Sequence, residues 1–270
     1  MFKDILTWID GEAGGFAETF AFALAERFDA HVTGAMLALE PTLTFYDASV
    51  PMDIIDTIRK QAEEAAEAAS ARFRDSLRKE GLNGDAVTLG GATAEAQDRF
   101  STLARHFDLA VLPQQEAKGD LRAQMIEAAL FGSGRPVLVA PYIWKPPARF
   151  DRILVAWDRG APAARALGDA LPLLKRANHV ELVIVGESAV DLPGFNITRH
   201  LARHDVKVEL RRIPNDEDEV GGVLLSHAAD SGADLLVMGG YGHSRFRETL
   251  FGGATRSILD TMTVPTFMAR

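Results

Sequence analysis

Cysteine is absent from the 270-residue chain. Disulfides, thiolate catalysis, Fe–S clusters and cysteine-based zinc sites are excluded with it. Basic residues are in deficit: 29 Lys and Arg stand against 38 Asp and Glu, a formal net charge of −9. A general DNA- or RNA-binding surface shows a basic excess, so no nucleic-acid partner is expected. No run of about 18 apolar residues occurs, so no membrane-spanning helix is expected. The opening stretch, MFKDILTWIDGE, carries acidic residues and no long apolar core, and does not read as a signal peptide. Together these absences point to the cytoplasm. No Ser-His-Asp order or carboxylate pair stands out, and no nucleophile has a recognisable activating setting.

What is present is an internal repeat. FKDILTWID at 2–10 matches FDRILVAWD at 150–158, FDLAVL at 107–112 matches ADLLVM at 233–238, and RPVLVAP at 135–141 matches VPTFMAR at 264–270. The three matches keep their order, so the chain is two copies of one unit. Hydrophobic residues are 47% and charged residues 25%, an ordinary globular balance. A chain of this length accommodates two domains of about 100–150 residues each. The extra residues of the first copy fall around 39–79. The joining stretch APYIWKPPARFD, 140–151, has three prolines that favour an extended tether. The first domain is placed at 1–143 and the second at 149–270, with the boundary near Pro146.

Each copy alternates strand and helix. In the second, 153–157 is a continuous apolar run of the kind a buried parallel strand shows. Residues 162–177 follow at helical spacing, with Pro172 expected to kink them. Then come a buried strand at 180–185, a helix at 192–204, an edge strand at 206–212, a helix at 216–230 and a strand at 235–238. A glycine-rich loop and a helix at 254–262 lead to a last strand at 265–268. The first copy repeats the order with a long second helix, 52–79, solvated on one face. The alternation implies an α/β fold, a parallel sheet with helices on both faces and right-handed crossovers.

The most informative stretch is GGYGHSRFRETLFGGATR, 239–256. It follows a strand and opens a helix, where ligands of open α/β sheets bind. Glycines there let backbone approach a phosphate, and the helix amino terminus offers unpaired amides and a favourable dipole. The stretch also resembles the nucleotide-binding members of the universal stress protein family, whose pattern is G-x2-G-x9-G-(S/T). Gly239, Gly242 and Gly252 stand at its three glycines. GHS at 242–244, Glu248, the Val264–Pro265 pair and Asp158 at the end of the first strand are similar as well. The resemblance spans both copies. It implies an adenine nucleotide hydrolase-like fold, with a five-stranded parallel sheet of order 3-2-1-4-5 in each copy. It also implies ATP or AMP, with Mg²⁺, in the second copy. The purine would lie near Ala156, Trp157, Asp158, Val185 and Met238. The phosphates would lie over Gly239, Gly242, His243, Gly252, Gly253 and Ala254. One position departs: Gly253 stands where the pattern has a hydroxyl, and Thr255 is the nearby residue that can offer one instead.

The first copy has lost this cradle. Pro113 takes the place of Gly239 and has no amide hydrogen to donate, while FGSG at 131–134 reads as a helix C-terminal turn. Several residues have two readings. Asp10 and Asp158 are ligand contacts at strand tips or turn residues that cap the next helix. His243 contacts phosphate or caps backbone. Arg245, Arg247 and Arg256 meet phosphates or pair with Glu248 on a solvated face. Trp8 reads as core, and Trp157 stacks on the base or fills its place. His200 and His204 have metal-ligand spacing but no evident third ligand.

The expectation is a stress-related binding or regulatory module without firm catalytic residues. The two domains would pack as an intramolecular pseudo-dimer through their last strands, and two chains could form a homodimer. The alternatives are a protein-interaction module that binds no nucleotide, or a slow ATPase using His243.

Overall fold

The computed structural model describes residues 1–9, 15–40, 52–117, 120–144, 147–186, 196–215, 219–241 and 253–270. The chain divides into two compact units: Met1–Pro113 with Leu121–Arg135, and Gln114–Asp120 with Pro136–Arg270.

The first unit runs β1 (Asp4–Ile9), α1 (Phe16–Phe28), β2 (His31–Leu39), α2 (Met52–Glu80), β3 (Gly84–Gly91), α3 (Thr93–Ala104), β4 (Leu109–Pro113) and α4 (Leu121–Gly132). Its strands pair in parallel in the order β3-β2-β1-β4. All five residues of β4, and all but the first of β1, are buried. Consecutive strand residues point to opposite faces, so both faces of this sheet are covered. Phe20 and Leu24 of α1, Phe73 and Leu77 of α2, and Phe100 of α3 fill the core.

Helix α2 buries Ala66, Ala69, Phe73 and Leu77 at spacings of three and four, leaving its Glu-rich face in water. Gly34 on β2 makes room for it. A Cβ there would lie 2.6 Å from Ile9 Cδ1 and 2.7 Å from the Phe73 ring. Helix α4 ends in the turn expected of FGSG. Ser133 N–H donates to the Ala129 carbonyl at 3.1 Å, Ser133 Oγ accepts from Arg135 N–H at 3.0 Å, and Gly134 takes φ +68°.

The second unit contains β5 (Val137–Ala140), β6 (Arg152–Ala156), α5 (Ala161–Leu174), β7 (His179–Val185), α6 (Ile197–Arg203), β8 (Glu209–Ile213), α7 (Val220–Ser231), β9 (Leu235–Gly239), α8 (Gly253–Thr261) and β10 (Thr266–Ala269). Strands β10-β9-β6-β7-β8 are parallel neighbours, which is the 3-2-1-4-5 order read from its far end. Helix α5 runs on through Pro172 rather than kinking mid-length. The proline sits in the last turn, where it cannot donate to the Gly168 carbonyl but little helix follows it. Strand β8 is the exposed edge expected, though it begins at Glu209 and not at Val206.

Strand β5 comes from the first sequence copy yet belongs to the second unit. It pairs antiparallel with β10, Phe267 opposite Leu138. The last strand of the second copy is thereby covered instead of left as an open edge. The stretch Gln114–Asp120 belongs to this unit too. The Gln114 side-chain amide donates to the Leu259 carbonyl at 3.0 Å, and that of Gln115 donates to the Asp260 carboxylate.

Candidate functional site

The carboxyl ends of β6, β7 and β9 and the start of α8 bring together the described site residues of the second copy. Strand β9 ends at Gly239, and the next two backbone amides are already used. Gly240 N–H donates to the Ala269 carbonyl at 2.9 Å. Tyr241 N–H donates to Thr255 Oγ1 at 3.1 Å, with both residues buried. Tyr241 takes a left-handed φ of 53°, the backbone turn that aims the chain out of the sheet. Thr255 is therefore an anchor for the start of the loop. Its oxygen accepts from the protein, and the side chain is buried. Gly242, His243 and Gly252, together with Asp10, Arg245, Arg247 and Glu248, lie outside the described residues.

Gly239 has a packing reason to be glycine. A Cβ there would stand 2.5 Å from the Ala163 nitrogen and 2.8 Å from the Pro162 carbonyl carbon, inside the first turn of α5. Gly253 is different. Its nearest neighbour to a built Cβ is Glu219 Oε1, 3.9 Å away, so a side chain would fit. Its glycine character leaves the first turn of α8 bare, with Gly253 exposed and Ala254 half-buried.

At the first strand tip, Asp158 accepts from Gly160 N–H at 2.7 Å through Oδ1. Arg159 between them takes φ +66°, and Gly160 is the N-cap of α5. The turn-forming role of Asp158 is thus present, and the residue is exposed. Ala156, Trp157 and Val185 are half-buried beside it. Trp157 N–H continues the ladder to the Val183 carbonyl at 2.8 Å. Met238 is buried and pairs with Met268 of β10. Half-buried apolar residues at the strand ends, an exposed carboxylate and the amino terminus of α8 suit a ligand with a flat apolar part, hydroxyls and an anionic end.

Among the described residues, the first copy differs at the corresponding strand end. Pro113 is the last residue of β4 as Gly239 is of β9, each closing a five-residue strand. Only residues 114–120 separate β4 from α4, where 240–252 separate β9 from α8.

Two acidic residues had no signal in the sequence. Glu219, in the run NDEDE, reads as a solvated charge, yet its carboxylate accepts from Ser257 Oγ of α8 at 3.0 Å. Glu181, third in β7, is buried between Arg211 Nε at 2.6 Å and His227 Nε2 at 3.0 Å. Burial pushes its carboxyl up, but the hydrogen bonds and charges of Arg211 and His227 outweigh this and hold it below the usual range. It stands four residues before Val185, so it supports the sheet rather than the site. His200 and His204 lie edge to face, 4.7 Å apart, and no group of three metal-ligating side chains occurs among the described residues. No helix among them is long and apolar enough to cross a membrane. Two open grooves lie elsewhere. One, about 520 Å³, runs along α7 beside His227 and Asp230, and one of about 560 Å³ lies in the first unit beside Glu95 and Arg99.

No protein-family model matches the chain. It is similar to universal stress protein Slr1230 of Synechocystis, at 25% identity over 81% of this chain and 77% of that protein. In fold it is similar to a universal stress protein from Archaeoglobus fulgidus, with TM-score 0.74 and 16% identity over 99% of this chain and 98% of that one. A functionally unknown protein of Pseudomonas aeruginosa also shares the fold, with TM-score 0.63 and 14% identity over 98% of this chain and 92% of that one.

Proposed function

Because the chain belongs to the universal stress protein family as a tandem two-domain member, we propose that its second copy binds one adenine nucleotide, ATP or AMP, and that the protein acts as a cytoplasmic binding or regulatory module. The observation that supports this reading is the grouping of Ala156, Trp157, Asp158 and Val185 at the adjoining carboxyl ends of β6 and β7, with α8 opening at the exposed Gly253. The base would lie at the strand ends near Ala156, Trp157 and Val185, with Met238 on the same face as Ala156 and Val185. Asp158 would take ribose hydroxyls, and the first-turn amides of α8 at Gly253 and Ala254 would meet the anionic end. The described residues fit a nucleoside with a short anionic end well. They fit a Mg²⁺-bound triphosphate less well, since Gly253 brings no hydroxyl and the Thr255 side chain is buried. The domain boundaries 1–143 and 149–270 and the pseudo-dimer are part of the same proposal; the antiparallel pairing of the first copy's β5 with β10 supports the joining of last strands.

Binding that is selective for the folded state raises stability by about 2.7 kcal/mol at a ligand concentration 100 times Kd. For a unit of this size that raises Tm by roughly 5–10 °C. The test is a thermal melt with increasing AMP or ATP, the latter with and without Mg²⁺. No shift at millimolar nucleotide refutes the reading. It would leave the second reading, an interaction module without nucleotide, which the hydroxyl-free Gly253 and the shortened first-copy loop favour.

A further inference from the structure

We propose that Glu219 sets the ligand class of this site, disfavouring polyphosphates and favouring adenine compounds that bring little negative charge to the first turn of α8. The inference rests on the adenine-binding reading above. Glu219 immediately precedes α7, and its side chain reaches across to α8. Oε2 accepts from Ser257 Oγ at 3.0 Å, and Oε1 lies 3.9 Å from where a Gly253 Cβ would stand. Gly253 and Ser257 are four residues apart and share one face of α8. The carboxylate therefore lies along the face from which a side chain at 253 would project.

Gly221 holds it there. A Cβ at 221 would be 3.0 Å from the Ala254 carbonyl oxygen and 3.2 Å from Ser257 Cβ, so the bare backbone lets the start of α7 press against the start of α8. A helix amino terminus attracts an anion, and here the protein supplies one from its own chain. Phosphate oxygens brought to the Gly253 and Ala254 amides would come within about 4–6 Å of that carboxylate, a repulsion that costs on the order of tenfold in affinity. A neutral nucleoside meets no such penalty. Exposed Arg256 on the same helix is unchanged in every variant below, so the comparison isolates Glu219.

The experiment is calorimetric titration of the full chain with adenosine, AMP and ATP, in wild type and in Glu219→Gln, at fixed ionic strength. Glutamine keeps the acceptor for Ser257 and removes the charge. The expected result is wild-type affinity for adenosine at or above that for ATP, and about tenfold tighter ATP binding in Glu219→Gln with adenosine unchanged. Ser257→Ala, which frees the carboxylate to swing away, should move ATP affinity in the same direction by less. Adenosine or AMP binding with ATP affinity unmoved by Glu219→Gln overturns the proposal and leaves the adenine site standing. No binding of any of the three compounds to either protein overturns both.

Discussion

Replacing Gly239 with alanine should be costly with no ligand present, while the same change at Gly253 should not. At Gly239 the new Cβ would sit 2.5 Å from the Ala163 nitrogen and 2.8 and 2.9 Å from two Pro162 carbons. Ordinary contacts lie near 3.5–4.0 Å, so about 1 Å of movement is needed between β9 and the first turn of α5. The obstacle is mostly backbone, which cannot rotate aside. Overpacking costs about 1–3 kcal/mol, and a backbone obstacle places this case near 3 kcal/mol. At roughly 2–4 °C per kcal/mol, the unfolding transition of the second unit should fall by about 6–12 °C. At Gly253 the new Cβ meets, among the described residues, only Glu219 Oε1 at 3.9 Å. The helix-propensity gain of Ala over Gly is up to about 1 kcal/mol in an interior and less at a first position. That transition should hold or rise by about 1–2 °C. Calorimetry without nucleotide separates packing from binding. If Gly239→Ala melts within 1 °C of wild type, the close approach of β9 to α5 is wrong, and with it the account of why this residue is glycine.

Thr255→Val keeps shape but leaves the buried Tyr241 N–H without its acceptor, and should lower stability by about 1–3 kcal/mol in urea unfolding. Glu181 has a folded pKa below its unfolded value, so its contribution is present above the ordinary carboxylate range and is lost as pH falls from there through the lowered value. Urea midpoints measured from pH 6 down to pH 3 should decline in wild type, and more gently in Glu181→Gln. At neutral pH that variant should be less stable by about 1–3 kcal/mol, a range discounted because Arg211 is more than half exposed. In the first unit, Gly34→Ala would push on Ile9 and the buried Phe73, and should cost about 1–3 kcal/mol by the same assay.

Strands β4, β6, β7 and β9 were legible in the sequence because each is a short apolar run, as burial on both faces requires. The repeat made the order of the first copy's elements legible from the second. The place of Ala156, Trp157 and Val185 at strand ends was legible in the same way, since strand ends fix where a ligand can sit. What was hidden depends on distance along the chain. Glu219 meets Ser257 38 residues away, and Glu181 meets Arg211 and His227 at separations of 30 and 46. No local pattern marks such pairs. Gly239 shows another limit of spacing. It matches a phosphate-loop glycine, yet the structure gives it an independent reason in the first turn of α5. The membership of β5 in the second unit was foreshadowed only by the argument that an open last strand needs cover.

The central claim is one adenine-nucleotide site per chain, in the second copy. Calorimetric titration of the purified protein with AMP tests it most directly, with Trp157→Phe and Asp158→Asn measured alongside. The account predicts saturation at one equivalent per chain, weakened by both substitutions while the melting temperature without ligand changes little. Saturation at two equal sites, no saturation up to millimolar AMP, or binding indifferent to both substitutions would contradict it.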